Sequence, residues 1–125
     1  LIDNEVYEVW SYNLETVLAE KIETILSKLE ASSRMKDYYD IYLIHKLKFN
    51  KINKTKFRGA VEKTFKKRKF NADLITSLKV IEDSKILKDR WTSYSRKNRY
   101  TRNLEFDETV KCLKDFIDII VPVAI

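Results

Sequence analysis

The scarcity of chain-breaking residues is the feature that most constrains the fold of this sequence. Its 125 residues include one glycine and one proline, so few positions can form the tight turns that a sheet-rich domain needs. Between short polar breaks, apolar residues recur at steps of three and four, which is typical of the buried face of a helix. With 44% hydrophobic and 35% charged residues, the composition also suits a helical domain with one core. We therefore predict an all-α bundle of five to six helices.

Most of the predicted helices begin at polar residues that can cap a helix N-terminus. The candidate caps are Ser11 or Asn13, Ser33, Asn53, Asn71 and Ser84. The corresponding helices run from Ser11 or Asn13 to about Glu30, and over about 35–47, 54–69, 72–81 and 85–97, followed by a last helix over about 107–120.

The segment EVYEVW, residues 5–10, has a different pattern. It is rich in the β-branched and aromatic residues of a strand, although no partner strand lies near it in the sequence. The chain also begins with Leu1 rather than methionine. We therefore expect residues 1–12 to be a leftover strand and linker of a longer protein, and residues 13–125 to form the helical domain.

Several classes of protein and site are not indicated by the sequence. No apolar run reaches the length of a membrane span, and no secretory signal is present. The single cysteine, Cys112, forms no intrachain disulfide and fits a reducing cytoplasm, where we interpret it as a small, half-buried hydrophobic residue. There is no glycine-rich phosphate loop, no metal-ligand spacing and no Ser/His/Asp pattern. The one histidine, His45, is predicted to lie on the surface.

Positive charge is concentrated in residues 46–70, which we call the basic arm. The arm has 11 basic residues and one acidic residue, whereas the rest of the chain has 14 basic and 18 acidic residues. Such a local excess is typical of a surface that binds a polyanion, although a solvated lysine-rich surface is an equal alternative. The candidate nucleic-acid-binding residues of the arm are Lys54, Lys56, Arg58, Lys63, Lys66, Lys67, Arg68 and Lys69.

A second basic segment, KNRYTRN at residues 97–103, interleaves basic residues with a tyrosine. This pattern could bind single-stranded nucleic acid, but a solvated loop is the simpler interpretation. Just before it, Leu87, Trp91 and Tyr94 fall on one helical face and are predicted to pack in the core.

Three charged residues lie where a helical core would favour leucine. Lys21 falls between Val17 and Ile25 at the edge of the first helix's apolar stripe, while Asp40 lies on the apolar side of the next helix, one turn after Asp37. Because the connection between these helices is short, they should pack as antiparallel neighbours, and the lysine could meet an aspartate. A buried, unpaired charge costs several kcal/mol, so each charge needs a partner or a wet cleft. Periodicity favours a structural ion pair but leaves open a cleft in which Lys21 holds a phosphate.

The same stretch carries a family resemblance. Residues 14–44, LETVLAEKIETILSKLEASSRMKDYYDIYLI, resemble the carboxy-terminal half of the AbiEii/AbiGii toxins, nucleotidyltransferases of bacterial toxin–antitoxin and abortive-infection systems that act in phage defence. That family shows an Ala-x-Lys helix, a basic residue about seven positions later, and a basic-Asp-x-x-Asp helix. The matching residues are Ala19, Lys21, Lys28, Lys36, Asp37 and Asp40, with Arg34 just before the second helix.

The resemblance implies a nucleotidyltransferase that transfers a nucleotide from NTP to an RNA (tRNA) or protein acceptor. Lys21, Asp37 and Asp40 would be its catalytic residues here, and Lys28, Arg34 and Lys36 would bind the substrate's phosphates. The family's amino-terminal half carries a Gly-Ser motif and an Asp-x-Asp pair that holds Mg²⁺, and this sequence contains neither. We therefore expect the chain to be the helical substrate-side domain, with EVYEVW as a remnant of the missing half, inactive alone and without its own metal. The alternative is a non-enzymatic helical module that binds nucleic acid or a cognate antitoxin.

Overall fold

The structure is a computed structural model that describes the backbone of residues 4–121 and the side chains of residues 13–121. It has six α-helices: α1 (Asn4–Lys28), α2 (Met35–Lys48), α3 (Lys54–Lys67), α4 (Leu74–Asp83), α5 (Lys85–Lys97) and α6 (Phe106–Ile120). Short 3-10 helices at Leu29–Ala31, Phe49–Lys51 and Arg99–Thr101 follow α1, α2 and α5. No strand occurs in residues 4–121, so the all-α prediction is confirmed.

The amino-terminal strand predicted at residues 5–10 is not seen, because these residues are helical within α1. A strand needs a neighbour to satisfy its backbone hydrogen bonds, whereas a helix satisfies them within the segment. The helix is interrupted at Asn13, whose backbone is non-helical (φ −137°, ψ 44°). Asn13 therefore marks a junction of two helical segments within α1, so a helix begins there as predicted, and a further helical segment precedes it.

Two of the predicted caps are confirmed. The Asn53 side chain accepts a hydrogen bond from the Lys56 amide at 2.9 Å, and the Ser84 hydroxyl accepts one from the Leu87 amide at 3.1 Å. The other two predicted caps, Ser33 and Asn71, do not cap. Helix α2 starts after Arg34 without a side-chain cap, and α4 starts after Asp73, whose carboxylate accepts from the Thr76 amide at 2.9 Å.

The core forms where α1 and α6 pack against the other helices. Helix α1 packs against α2 and α3, and α6 packs against α2, α3 and α4. The largest fully buried side chains at this centre include Tyr38, Phe57 and Phe116, and the rings of the two phenylalanines lie 6.2 Å apart. Because α2 is held between α1 and α6, any charged residue on its inner face must find a partner on one of them. None of the helices in residues 4–121 is long and apolar enough to cross a membrane.

Candidate functional site

The structure brings Lys21 of α1 against both aspartates of α2. The Lys21 Nζ lies 2.8 Å from Asp40 Oδ2, to which it donates a hydrogen bond, and 3.6 Å from Asp37 Oδ1. The two aspartate side chains are each 6% exposed, whereas the lysine side chain is 20% exposed. The prediction that the lysine meets an aspartate across the two helices is thus met by both aspartates. The lysine is therefore the most exposed side chain of the three.

Helical periodicity explains why the three charges converge. Lys21 neighbours the fully buried Ile22, and Asp37 and Asp40 flank the fully buried Tyr38 on the inner side of α2. Residues three apart on a helix lie on one face, so both carboxylates point toward the same neighbour. Asp37 also lies in the first turn of α2, where the helix dipole stabilises a negative charge.

The predicted substrate-binding residues are placed differently from one another. The Arg34 Nε lies 3.7 Å from Asp37 Oδ2, and its side chain is 65% exposed, so its guanidinium borders the cluster. Lys28 and Lys36 are exposed and make no ion pair or side-chain hydrogen bond within residues 13–121. The structure thus joins Arg34 to the Lys21–Asp37–Asp40 cluster and leaves the two lysines outside it.

The connection before α2 is held in place by a residue that sequence analysis did not single out. The Arg90 guanidinium on α5 donates to the backbone carbonyls of Glu30 and Ser32, the latter at 2.9 Å. Glu30 in turn accepts a hydrogen bond from the Ser84 hydroxyl at 2.7 Å. These contacts place the start of α2, and therefore Asp37, relative to α5. No pattern in the sequence signals them, because the partners of Arg90 are backbone atoms about 60 residues away.

A group of tyrosines adjoins the cluster. The ring of Tyr39 lies 4.7 Å from that of Tyr100, and the Tyr94 and Tyr100 hydroxyls share a short hydrogen bond. The pKa of Tyr94 is raised by burial, by the hydrogen bond to Tyr100 and by the nearby negative charge of Asp40. The Tyr94 hydroxyl therefore stays protonated at neutral pH. Tyr94 and Tyr100 therefore extend the site from Asp40 toward the end of α5. The sequence analysis placed Tyr94 only in the core and did not connect it to Asp40.

The aspartates do not fit a magnesium site. The Lys21 ammonium lies against both carboxylates and occupies the position in which a cation would balance them. In addition, no group of three or more acidic, histidine or cysteine side chains suited to a metal occurs in the described part of the chain. Mg²⁺ prefers several oxygen ligands in octahedral geometry, which this cluster does not offer.

The basic arm includes α3, and its eight candidate nucleic-acid-binding residues divide into two groups. Three of them are engaged: Arg68 pairs with Glu23 at 2.8 Å and Glu20 at 3.1 Å, Lys56 lies 3.5 Å from Glu15, and Arg58 donates to the Ile119 carbonyl at 2.8 Å. The other candidates are exposed and make no such contact within residues 13–121; they are Lys54, Lys63, Lys66, Lys67 and Lys69. Tertiary packing has thus neutralised part of the arm's predicted excess charge. Glu15 and Glu23, both buried, were not predicted as its partners.

The remaining interpretations are largely confirmed. Leu87 and Trp91 are buried, with Tyr94 packed beside them, and Cys112 is half-buried. His45 lies at the surface only in part, since its side chain is 25% exposed and its Nε2 makes an exposed contact of 2.8 Å with Asp115 Oδ2. Its ring also packs against Phe49 and Phe116, because α6 covers the side of α2 that periodicity had assigned to solvent.

Comparison with known families adds to this geometry. The family model described as nucleotidyl transferase AbiEii toxin, type IV toxin–antitoxin system, matches residues 1–112. The chain belongs to the AbiEii toxin family. No curated protein and no solved structure matches the chain. Membership in the AbiEii family, together with the helical fold, makes the chain a nucleotidyltransferase-like module of a toxin–antitoxin system.

Proposed function

We propose that this AbiEii-family chain forms the wall of a nucleotidyl-transfer site that binds the triphosphate of an NTP, with Lys21 as its principal contact. The observation that carries the proposal is the position of Lys21, whose ammonium contacts two buried carboxylates while its side chain remains partly exposed. The acceptor would be an RNA or a protein, and a cognate antitoxin in the same cytoplasm would neutralise the toxin. In the host bacterium, such a system would act against phage by abortive infection.

The chemistry of the cluster suits this task. An ammonium group has three donors, so Lys21 can bind Asp40 and still donate to a phosphate oxygen. Asp37 and Asp40 hold the lysine side chain in place, which matters because phosphoryl and nucleotidyl transfer depend mainly on positioned charge. Arg34, exposed at the rim, would add a second phosphate contact.

The cluster alone would bind a triphosphate weakly, because two cations and two carboxylates leave it without net charge. Lys28 and Lys36, exposed on the same two helices, would supply additional positive charge. This sequence also lacks the Asp-x-Asp pair that transfer in the family uses. We therefore propose that the chain does not transfer nucleotides alone and works with a separate half that carries those carboxylates.

The same geometry supports a second candidate function. A 2.8 Å contact to an aspartate that is 6% exposed is also what a purely structural ion pair would show. In that case the chain would be a non-enzymatic module that binds nucleic acid or the antitoxin.

Transfer assays on the complete gene product distinguish the two candidates. Radiolabelled NTP would be incubated with cellular RNA and with protein, using the unaltered protein, Lys21→Met and the triple variant Lys21→Met/Asp37→Asn/Asp40→Asn. The triple variant removes the lysine without leaving unpaired carboxylates, so it should fold while still failing to transfer. Recovery of transfer in the triple variant would overturn the catalytic assignment and favour the structural pair.

A further inference from the structure

The segment that follows α5 is exposed along most of its length, as expected, but it is anchored to the bundle. Thr101 is fully buried, and its hydroxyl lies 2.7 Å from the Asn98 carbonyl and 3.0 Å from the Ser95 hydroxyl. The Trp91 indole donates to the Leu104 carbonyl at 2.9 Å, which ties the far end of the segment to α5. Residues 98–104 are thus anchored at both ends, and side chains on their outer surface have a defined position.

The basic side chains around this segment form no ion pairs or side-chain hydrogen bonds with the described residues. Residues 96–103 include four basic residues and no acidic residue. All four basic side chains are exposed, and none makes an ion pair or a side-chain hydrogen bond within residues 13–121; they are Arg96, Lys97, Arg99 and Arg102. This differs from the basic arm, where both arginines are bound to other groups.

Two of these arginines line one groove. An open cavity of about 450 Å³ lies between α5 and the segment that leads to α6, with Arg96 and Arg102 on its walls. Polar side chains of Thr92, Ser95 and Asn103 also line it. One acidic residue, Glu105, which is the N-cap residue of α6, also lines the groove, so the two arginines leave it with a net positive charge. A guanidinium group can bind a phosphate through paired hydrogen bonds, so a groove lined by two arginines is chemically suited to a phosphate group.

An exposed aromatic ring, that of Tyr100, belongs to the same segment as Arg102 but does not line the groove. Tyr100 is 43% exposed, although Tyr39 and Tyr94 contact its ring at centroid distances of 4.7 and 6.3 Å. These contacts and the hydroxyl bond to Tyr94 restrict the ring's motion. A partly exposed tyrosine that is held by its neighbours, two residues before Arg102 in the chain, offers a stacking face for an unpaired base.

We propose that Arg96, Arg102 and Tyr100 bind single-stranded RNA, with a backbone phosphate in the groove and a neighbouring base stacked on the tyrosine. A duplex would not present an unpaired base to Tyr100, so the strand must be single. The Thr92 and Ser95 hydroxyls already donate to the Lys88 and Thr101 carbonyls, so the exposed side-chain amide of Asn103 is the group that can bind a ribose 2′-hydroxyl, which DNA lacks. The proposal rests on the proposed function in one respect, which is that this RNA strand is the acceptor of the nucleotide. The reason is that Tyr100 contacts Tyr39 and Tyr94, and Tyr94 lies near Asp40 of the cluster.

Fluorescence anisotropy with a labelled single-stranded RNA, measured on the complete protein without NTP, tests the proposal. Arg96→Gln/Arg102→Gln should weaken binding at least about tenfold at low salt and reduce the log–log salt slope by about 1.4, or about 0.7 per lost contact. Tyr100→Ala should weaken binding at least about fivefold, whereas Tyr100→Phe should keep most of the affinity. The matched control is Lys111→Gln/Lys114→Gln, which removes two exposed positive charges from α6.

An equal loss of affinity in the control variant would overturn the proposal, because binding would then follow net charge. Equal affinity for a duplex, or for single-stranded DNA of the same sequence, would overturn the assignment to single-stranded RNA. Thermal melts of each variant separate lost binding from lost folding. The anisotropy experiment contains no NTP, so its result does not depend on whether the protein transfers nucleotides. Conversely, the transfer assay on the Lys21 variants can be interpreted even if Arg96, Arg102 and Tyr100 do not bind RNA.

Discussion

Removing the Lys21 ammonium should measurably destabilise the fold, whether or not the residue is catalytic. In Lys21→Met the stem keeps its length, but the carboxylates of Asp37 and Asp40, each 6% exposed, lose their shared cation. Breaking a buried ion pair by removing one partner costs about 3–5 kcal/mol. We expect the lower end, about 3 kcal/mol, because the lysine is 20% exposed and Arg34 still lies 3.7 Å from Asp37.

This loss converts into a change in melting temperature that is easy to measure. For 125 residues the entropy of unfolding is about 0.26 kcal/mol/K, so a loss of about 3 kcal/mol lowers Tm by about 11 °C. Urea unfolding followed by circular dichroism gives the free energy directly. In the triple variant Lys21→Met/Asp37→Asn/Asp40→Asn, more than half of the loss should be recovered, because no uncompensated charge remains buried.

Lys36→Met provides the matched control, since it removes an exposed lysine beside Asp37 that makes no ion pair within the described side chains. Its effect should stay within about 0.5 kcal/mol. If Lys21→Met costs less than about 1 kcal/mol, or no more than the control, the carboxylates are better solvated than the structure shows and the reasoning fails.

Three further predictions concern other parts of the molecule. The Tyr38 hydroxyl is buried without a hydrogen-bond partner among the described residues, so Tyr38→Phe should raise the free energy of unfolding by about 1 kcal/mol. If urea unfolding instead shows a loss of stability, the hydroxyl does make a hydrogen bond in the folded protein. Burial raises the pKa of the Cys112 thiol from 9.0 to about 11. Alkylation by iodoacetamide should therefore be slow at neutral pH and reach half its maximal rate near pH 11, and a midpoint at or below pH 9 would contradict this prediction. If the basic arm contacts RNA phosphates, Lys66→Gln/Lys67→Gln should reduce the log–log slope of RNA affinity against salt concentration by about 0.7 per lysine. An unchanged slope would mean that these exposed lysines are only solvated and do not contact RNA.

The helices that were predicted well are those with local signals. Asn53 and Ser84 cap α3 and α5 as expected, because a capping side chain bonds to an amide only three residues later. Ser33 and Asn71 have the same chemistry but do not cap, since α2 begins where Arg90 fixes the preceding backbone and α4 begins after Asp73. The strand predicted at residues 5–10 shows the same limit. Its composition favours a strand, but no neighbouring strand is present in residues 4–121 to pair with it.

The candidate site was partly predictable from the sequence. The positions of Lys21 and Asp40 on the edges of two helices joined by a short connection were enough to predict that they meet. The spacing of Asp37 and Asp40 is also consistent with their sharing one ammonium, but nothing in the sequence could predict that Arg90 places the start of α2 or that Tyr94 lies near Asp40.

The sequence by itself determined the helical class, the approximate helix boundaries and the presence of charged residues on inner faces. These follow from periodicity, capping and the scarcity of glycine and proline, which act over a few residues. Only the tertiary structure decided which charges neutralise one another: Arg68 is paired with Glu20 and Glu23, while Arg96 and Arg102 remain uncommitted within the described residues. The physical reason is that an ion pair depends on the distance between groups on different helices. Packing of the whole bundle sets that distance, and no local stretch of sequence encodes it.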